Sequence, residues 1–273
     1  MSTATEHQTR QQAIAAGTMP AVTMDFDERA EAVARTLRDD KVLAVFRHAV
    51  QHIDRDRLRT IQDKYRRRAE EEDRIFGLKY LDFAHVLAKM ARTAVQLGLH
   101  EGPARRILDI GAGGGHLAFI ARLYGHAARI TDLPWETFDD AAWVLGFEVV
   151  HHASMVNDPV PLDGPFDLVT LTGVKLDTVY FGQDPYYWDG NDWQAFLSHL
   201  APKVAKGGRI HLKLNKGGHA RANIQRFAEM GAAADVAALT ATFTLDGQPA
   251  WHDLNACNPM LAGPEVSIHP RPS

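Results

Sequence analysis

Cysteine is nearly absent from the sequence. Cys257 stands alone among 273 residues, which excludes an internal disulfide and fits a reducing, cytoplasmic setting. No helix start or basic neighbour is evident beside it, so the thiol reads as inert. An apolar run of about 20 residues is missing too, so no segment reads as a membrane span. An excess of one charge is also lacking: 30 Lys and Arg stand against 34 Asp and Glu, a net charge of -4. That balance argues against wholesale binding to nucleic acid or to an anionic membrane. Residues 1–24 lack the charged start and apolar centre of a signal peptide. They read as a mobile leader or as an arm on a partner subunit.

Glycine and proline are scarce from 25 to about 100, and this stretch reads as helical. Residues 25–38 carry Phe26, Ala30, Val33 and Leu37 at helical spacing. Residues 41–52 form a second short helix. Residues 54–75 form a long charged one, a solvated face with neighbouring charge pairs rather than a nucleic-acid patch. Residues 81–99 are amphipathic through Leu81, Val86, Leu87, Met90, Ala94, Val95 and Leu97, and are expected to pack on the domain C-terminal to them.

Near Gly102-Pro103 the texture changes, and strands alternate with helices. Strands are expected at 106–110, 128–131, 147–151, 166–171 and 209–214. Helices are expected at 117–124, 137–145, 193–204 and 220–230. Such alternation implies a parallel α/β sheet covered on both faces. At the end, extended runs at 236–245 and 251–256 flank Gly247 and suggest a closing hairpin.

The informative stretch runs Ile107-Leu108-Asp109-Ile110-Gly111-Ala112-Gly113-Gly114-Gly115-His116-Leu117. An apolar strand carries an acid near its end, then a glycine-rich turn leads into a helix. The glycines let the backbone turn sharply and let a ligand lie against it. The helix start adds backbone donors and a positive dipole end. Asp109 precedes the first glycine, where it can face a ligand. Asp132 closes the second strand, where an acid can accept hydrogen bonds from both ribose hydroxyls.

Together these features resemble the class I S-adenosylmethionine (SAM)-dependent methyltransferase superfamily, over about residues 104 to 256. Asp109, Gly111, Gly113 and Gly115 match its acid-x-Gly-x-Gly-x-Gly signature, and Asp132 matches its ribose-binding acid. Pro165-Phe166-Asp167-Leu168-Val169 matches its fourth strand, and Leu200 with Gly207-Gly208 the approach to its fifth. The resemblance implies a Rossmann-like, seven-stranded, mostly parallel sheet with an antiparallel last strand. It implies SAM as cofactor, at the C-terminal edge of the strands. Leu133 and Thr172 join the expected cofactor contacts. Many members place an acid after strand three for the adenine; here Ser154 and Met155 stand there, with Asp158 as the alternative. The domain reading is then a leader at 1–24, a helical substrate-covering region at 25–101, and a SAM-binding domain at 102–273.

Substrate in such folds lies over the ends of strands four and five. After strand four come Lys175, Asp177, Tyr180, Phe181, Tyr186, Tyr187 and Trp188. Aromatic faces there can hold a cationic sulfonium, and tyrosine hydroxyls can orient a nucleophile. The bland alternative is that these rings pack the loop onto the sheet. Tyr180 and Asp177 are the catalytic candidates. Lys175, Tyr186, Tyr187 and, from the helical region, Tyr65 are the substrate-binding candidates, with Tyr80 a further one. Asp184-Pro185-Tyr186-Tyr187 matches the box of amino-methylating DNA enzymes poorly. No metal is expected: adjacent His151 and His152 point to opposite faces of a strand, and Asp177, Lys213 and Asn215 do not reproduce a catechol-methyltransferase metal set.

The expected activity is methyl transfer to a small molecule, with a homodimer as a possible state. Three alternatives stay open. The loop also fits a relaxed NAD(P) pattern. An enzyme of the same fold can cut another sulfonium bond, as azetidine-2-carboxylate synthases do, and release methylthioadenosine. A SAM-binding partner protein need not catalyse at all.

Overall fold

The computed structural model describes residues 25–71, 75, 77–152, 160–174, 178–181, 184–217 and 219–246. The leader, Cys257 and the 251–256 run therefore lie outside the described residues. Among them, no helix is long and apolar enough to cross a membrane.

Among the described residues, four helices precede the sheet: α1 (Phe26–Ala34), α2 (Asp40–Gln51), α3 (Arg55–Glu71) and α4 (Phe83–Gln96), with a 3-10 turn at Leu78–Leu81 before α4. Aspartates start all of them. Asp25, Asp39, Asp54 and Asp82 accept backbone N–H bonds at the starts of α1, α2, α3 and α4, satisfying donors a helix start leaves open. Asp82 also pairs with Arg29 at 2.6 Å, which ties α1 to the start of α4.

The second half alternates as expected: β1 (Arg106–Ile110), α5 (His116–Leu123), β2 (Ala127–Asp132), α6 (Glu136–Val144), β3 (Val150–His151) and β4 (Phe166–Thr172). A hairpin of β5 (Thr178–Phe181) and β6 (Asp184–Tyr187) follows. Then come α7 (Gly190–Leu200), β7 (Val204–Lys213), α8 (Ala220–Glu229), β8 (Ala233–Asp235) and β9 (Thr240–Leu245). The main sheet has seven strands in the order β3-β2-β1-β4-β7-β9-β8, and β5-β6 is a separate pair. Neighbours from β3 to β7 run parallel, and β9 runs antiparallel to β7 and to β8. The sheet is therefore the seven-stranded, mostly parallel one expected, with its last strand reversed.

Among the described residues the closing hairpin is β8-β9, and the expected arm at 251–256 beyond Gly247 lies outside them. Two expectations need correction. Residues 175–188 contain a β-hairpin rather than an open loop. The helix expected at 193–204 ends at Leu200, and Val204 already starts β7.

Apolar strands buried on both faces explain the layers. Leu108, Val169, Ile210 and Phe243 lie in register on one face, in a cluster with Phe196 and Phe227 of α7 and α8. Ile107 and Leu168 face the other side. There one cluster runs without a break from Phe26, Phe46 and Leu58 of the N-terminal helices through Leu87 and Ala91 of α4 to Ala118 of α5 and Ile130 of β2. The helical region is thus built into the sheet's core.

Charges on α3 divide into two kinds. Arg59–Asp56 and Arg66–Asp63 are exposed pairs within the helix. Lys64 and Arg68 instead reach α6: Lys64 contacts Asp140 at 2.6 Å and Glu136 at 2.7 Å, and Arg68 contacts Glu136 at 2.6 Å. The buried Tyr65 donates its hydroxyl to Asp140 at 2.8 Å. Asp140→Ala removes that acceptor from a buried donor and should cost about 1–3 kcal/mol in urea unfolding. Asp56→Ala, at the exposed pair, should cost under about 0.5 kcal/mol.

Candidate functional site

The glycine loop leaves β1 and closes on the end of β2. The Gly111 and Ala112 N–H groups donate to the Thr131 carbonyl at 2.9 and 3.2 Å. The Gly113 N–H donates to one Asp132 carboxylate oxygen, and the Leu133 N–H to the other at 2.7 Å. Gly113 sits at φ +60, a left-handed conformation that favours glycine. Space forbids a side chain as well: a Cβ there would come within 2.9 Å of the Tyr80 ring. At Gly111 a Cβ would collide with the Val174 side chain just beyond β4. Gly115 is the N-cap of α5. The loop is therefore held between the 3-10 turn of the helical region and the exit of β4.

Asp109 is buried on β1, in register with Thr170 of β4. Thr170 donates to its carboxylate at 2.7 Å. Burial pushes the Asp109 carboxyl up to about 7; the Thr170 hydrogen bond opposes this and the charge of Asp132 adds to it. Burial also pushes Asp132 up to about 6, against the backbone bonds from Leu133 and Gly113. The same register continues to His211 of β7 and Thr242 of β9. His211 Nδ1 and the Thr242 hydroxyl lie 2.9 Å apart. Burial, then the charges of Lys213 and Arg209, push His211 down to about 4. A polar row thus crosses the sheet core one level below the strand ends.

Tyr80 lies edge-on to Phe138 of α6, ring centres 4.8 Å apart, and Trp135 lies 5.1 Å from Phe138 on its other contact. Burial and the charge of Asp132 raise the Tyr80 phenol.

Of the expected cofactor residues, Asp109, Gly111, Gly113, Gly115, Asp132 and Leu133 converge on this loop. Thr172 ends β4, its hydroxyl buried without a hydrogen-bond partner. Ser154, Met155, Asp158, Lys175 and Asp177 lie outside the described residues. Tyr180 is in β5 and Tyr186 and Tyr187 are in β6; their backbones are described and their side chains are not. Tyr65 does not join the site: it is buried and occupied by Asp140, which assigns it to the α3–α6 packing. Trp188 is likewise core, edge-on to Trp193 and tilted against Phe196, ring centres 4.9 and 5.2 Å apart. Among the described residues, no three His, Cys, Asp or Glu side chains gather as a metal site. Thr170 escaped the sequence reading, though a polar residue inside the apolar run Phe166–Thr172 was its signal.

No family model matches the chain, and no curated protein matches it. Among solved structures, it is similar to the glycopeptide N-methyltransferase MtfA, at 16% identity and a TM-score of 0.36, over 49% of this chain and 55% of that one. It is similar to a TehB-like SAM-dependent methyltransferase from Corynebacterium glutamicum, at 17% identity and a TM-score of 0.34, over 57% of this chain and 71% of that one. A third is CalS10, an amino pentose methyltransferase from Micromonospora echinaspora, at 19% identity and a TM-score of 0.35, over 46% of this chain and 50% of that one. The chain spans about half the length of the first of these.

Raised acid pKa values set a pH dependence. Folded Asp109 and Asp132 bind protons more tightly than an unfolded aspartate near pKa 3.9. Ligand-free stability should therefore fall as pH rises from about 4 to about 7, then level off. In Asp109→Asn this slope should shrink. Denaturation across that pH range should show the variant gaining on the parent toward pH 8, by on the order of a few kcal/mol.

Proposed function

We propose that the chain binds SAM at the glycine loop and catalyses transfer of its methyl group to a small molecule. The observation that supports this most is the pairing of two buried acids with the loop in this sheet order. A dinucleotide-binding sheet continues in parallel as 3-2-1-4-5-6; here the reversed strand β9 lies beside β7. The residues fit the cofactor. The loop offers a cradle that a Cβ would fill, and Asp132 at the end of β2 and Asp109 one residue before the end of neighbouring β1 are acceptors beside it.

When bound, SAM supplies a methyl group on a sulfonium, already activated toward a nucleophile. In our reading, Asp109 gives up its proton and holds the cofactor's amino group. Asp132 accepts from the ribose hydroxyls with lone pairs that the Gly113 and Leu133 N–H groups leave free. Ser154 and Met155 hold the adenine, and Thr172 closes the cofactor pocket. Tyr180 orients the nucleophile, Asp177 accepts its proton, and Lys175, Tyr186 and Tyr187 contact the substrate. The helical region covers the site, and Tyr80 against Gly113 supports that role. A covered site keeps water away from the reacting centre.

Asp132→Ala should weaken SAM binding by about 2 kcal/mol through lost charge-assisted bonds. Gly113→Val should abolish binding; calorimetry with SAM checks both, and a folded Gly113→Val protein that binds tightly would refute the loop assignment.

Incubation of the pure protein with SAM and candidate acceptors, followed by identification of the nucleoside product, tests the reaction. S-Adenosylhomocysteine supports methyl transfer. Methylthioadenosine instead indicates cleavage of another sulfonium bond, and SAM binding with neither product indicates a binding role. Tyr180→Phe should lower turnover if the hydroxyl acts, with cofactor affinity changed less. Near-normal turnover in both Tyr180→Phe and Tyr180→Ala would remove Tyr180 from the mechanism.

A further inference from the structure

The ends of β4 and β7 meet on the face covered by α4. Thr172 is in register with Lys213, and the Gly173 N–H donates to the Lys213 carbonyl at 2.8 Å. Asn215 Nδ2 donates to the Gly173 carbonyl at 2.7 Å. Two groups then converge on the bare Cα of Gly173. The Lys89 ammonium, projecting from α4, and Asn215 Oδ1 each lie 3.5 Å from where a Cβ would stand.

Among the described residues the charge around this point has one sign. Arg29, Arg55, Lys64 and Arg68 each meet a carboxylate. Among the described residues Lys89, Lys213 and Lys79 meet none. Desolvation and then the charges of Lys213 and Lys79 lower the Lys89 ammonium, with no acid opposing them. Cations gathered this way repel one another, and a bound anion would relieve that repulsion. The Thr172 hydroxyl, buried and unpartnered in register with Lys213, adds a free polar group at the same edge.

We propose that Lys89, Lys213 and Asn215 form a subsite for a carboxylate on the acceptor substrate, so that the protein acts on small acids. The inference rests on the proposed function, in which these strand ends are the reacting edge. The ammonium groups supply the charge, and the Asn215 amide, anchored on Gly173, fixes one wall. Lys89 belongs to the helical region, so that region would select the acceptor as well as cover it.

The same chemistry could serve the cofactor's own carboxylate, and the test separates the two. Calorimetric titration of the full chain with benzoate and with its neutral counterpart benzamide is done with and without saturating S-adenosylhomocysteine. Benzoate should bind and benzamide should not. Lys89→Met and Lys213→Met should each weaken benzoate binding about tenfold or more, Lys89→Arg should retain it, and the affinity for S-adenosylhomocysteine should stay unchanged in all three. Benzoate binding no better than benzamide, or binding that ignores the lysine variants, overturns the subsite. A fall in S-adenosylhomocysteine affinity with benzoate unaffected assigns the lysines to the cofactor and overturns the acceptor assignment. If the parent protein binds benzoate through these lysines but does not bind S-adenosylhomocysteine, the cofactor reading fails and the subsite stands.

Discussion

The carboxylate of Asp132 joins the glycine loop to the end of β2. It accepts from the Gly113 N–H across the strand gap and from the Leu133 N–H beside it. Such charge-assisted bonds are stronger than neutral ones. With the Thr131 carbonyl holding Gly111 and Ala112, they fix the path of the loop before α5 begins. The position of Gly113 then decides where Tyr80 can rest, and Tyr80 in turn packs against Phe138 of α6. Remove the carboxylate and four separate pieces of chain lose their common reference.

Holding two acids there works against folding. Asp109 and Asp132 are buried on neighbouring strands, and each pays desolvation without a cation among the described residues to pair with. Sites that stay polar at the expense of stability are where function is expected. Thr170 and the backbone donors reduce this cost without cancelling it. A cationic ligand group beside Asp109 would offset its share of this cost, which a phosphate would not.

Much of the sheet was legible because its strands are apolar runs ended by glycines, and the glycine loop was legible because space and φ both demand its residues. The β8-β9 hairpin went unread for a physical cause. The turn from β8 to β9 takes its left-handed residue at Leu239, φ +55, and Asp235 caps it by accepting the Ala238 N–H. No glycine marks that turn, so nothing in the sequence announced it. Tyr65 and Tyr80 look alike in sequence, fifteen positions apart on either side of a charged run. Only packing separates them: one is taken by Asp140 and the other lies on Gly113. Lys89 was hidden for a similar reason. On α4 it is one exposed residue of an amphipathic helix, and it gains meaning only when the helix is laid over the ends of β4 and β7.

The unbroken apolar cluster that runs from α1 through α4 into the sheet limits how a ligand can enter. Elements that share one interior cannot swing apart as rigid bodies without exposing much of that interior to water, at a free energy near that of global unfolding. The N-terminal helices therefore cannot hinge away as a separate cap. Traffic to the loop has to use small local displacements at the periphery, and the turn Leu78–Leu81 is no exception, since Leu78 and Leu81 are themselves buried in that interior.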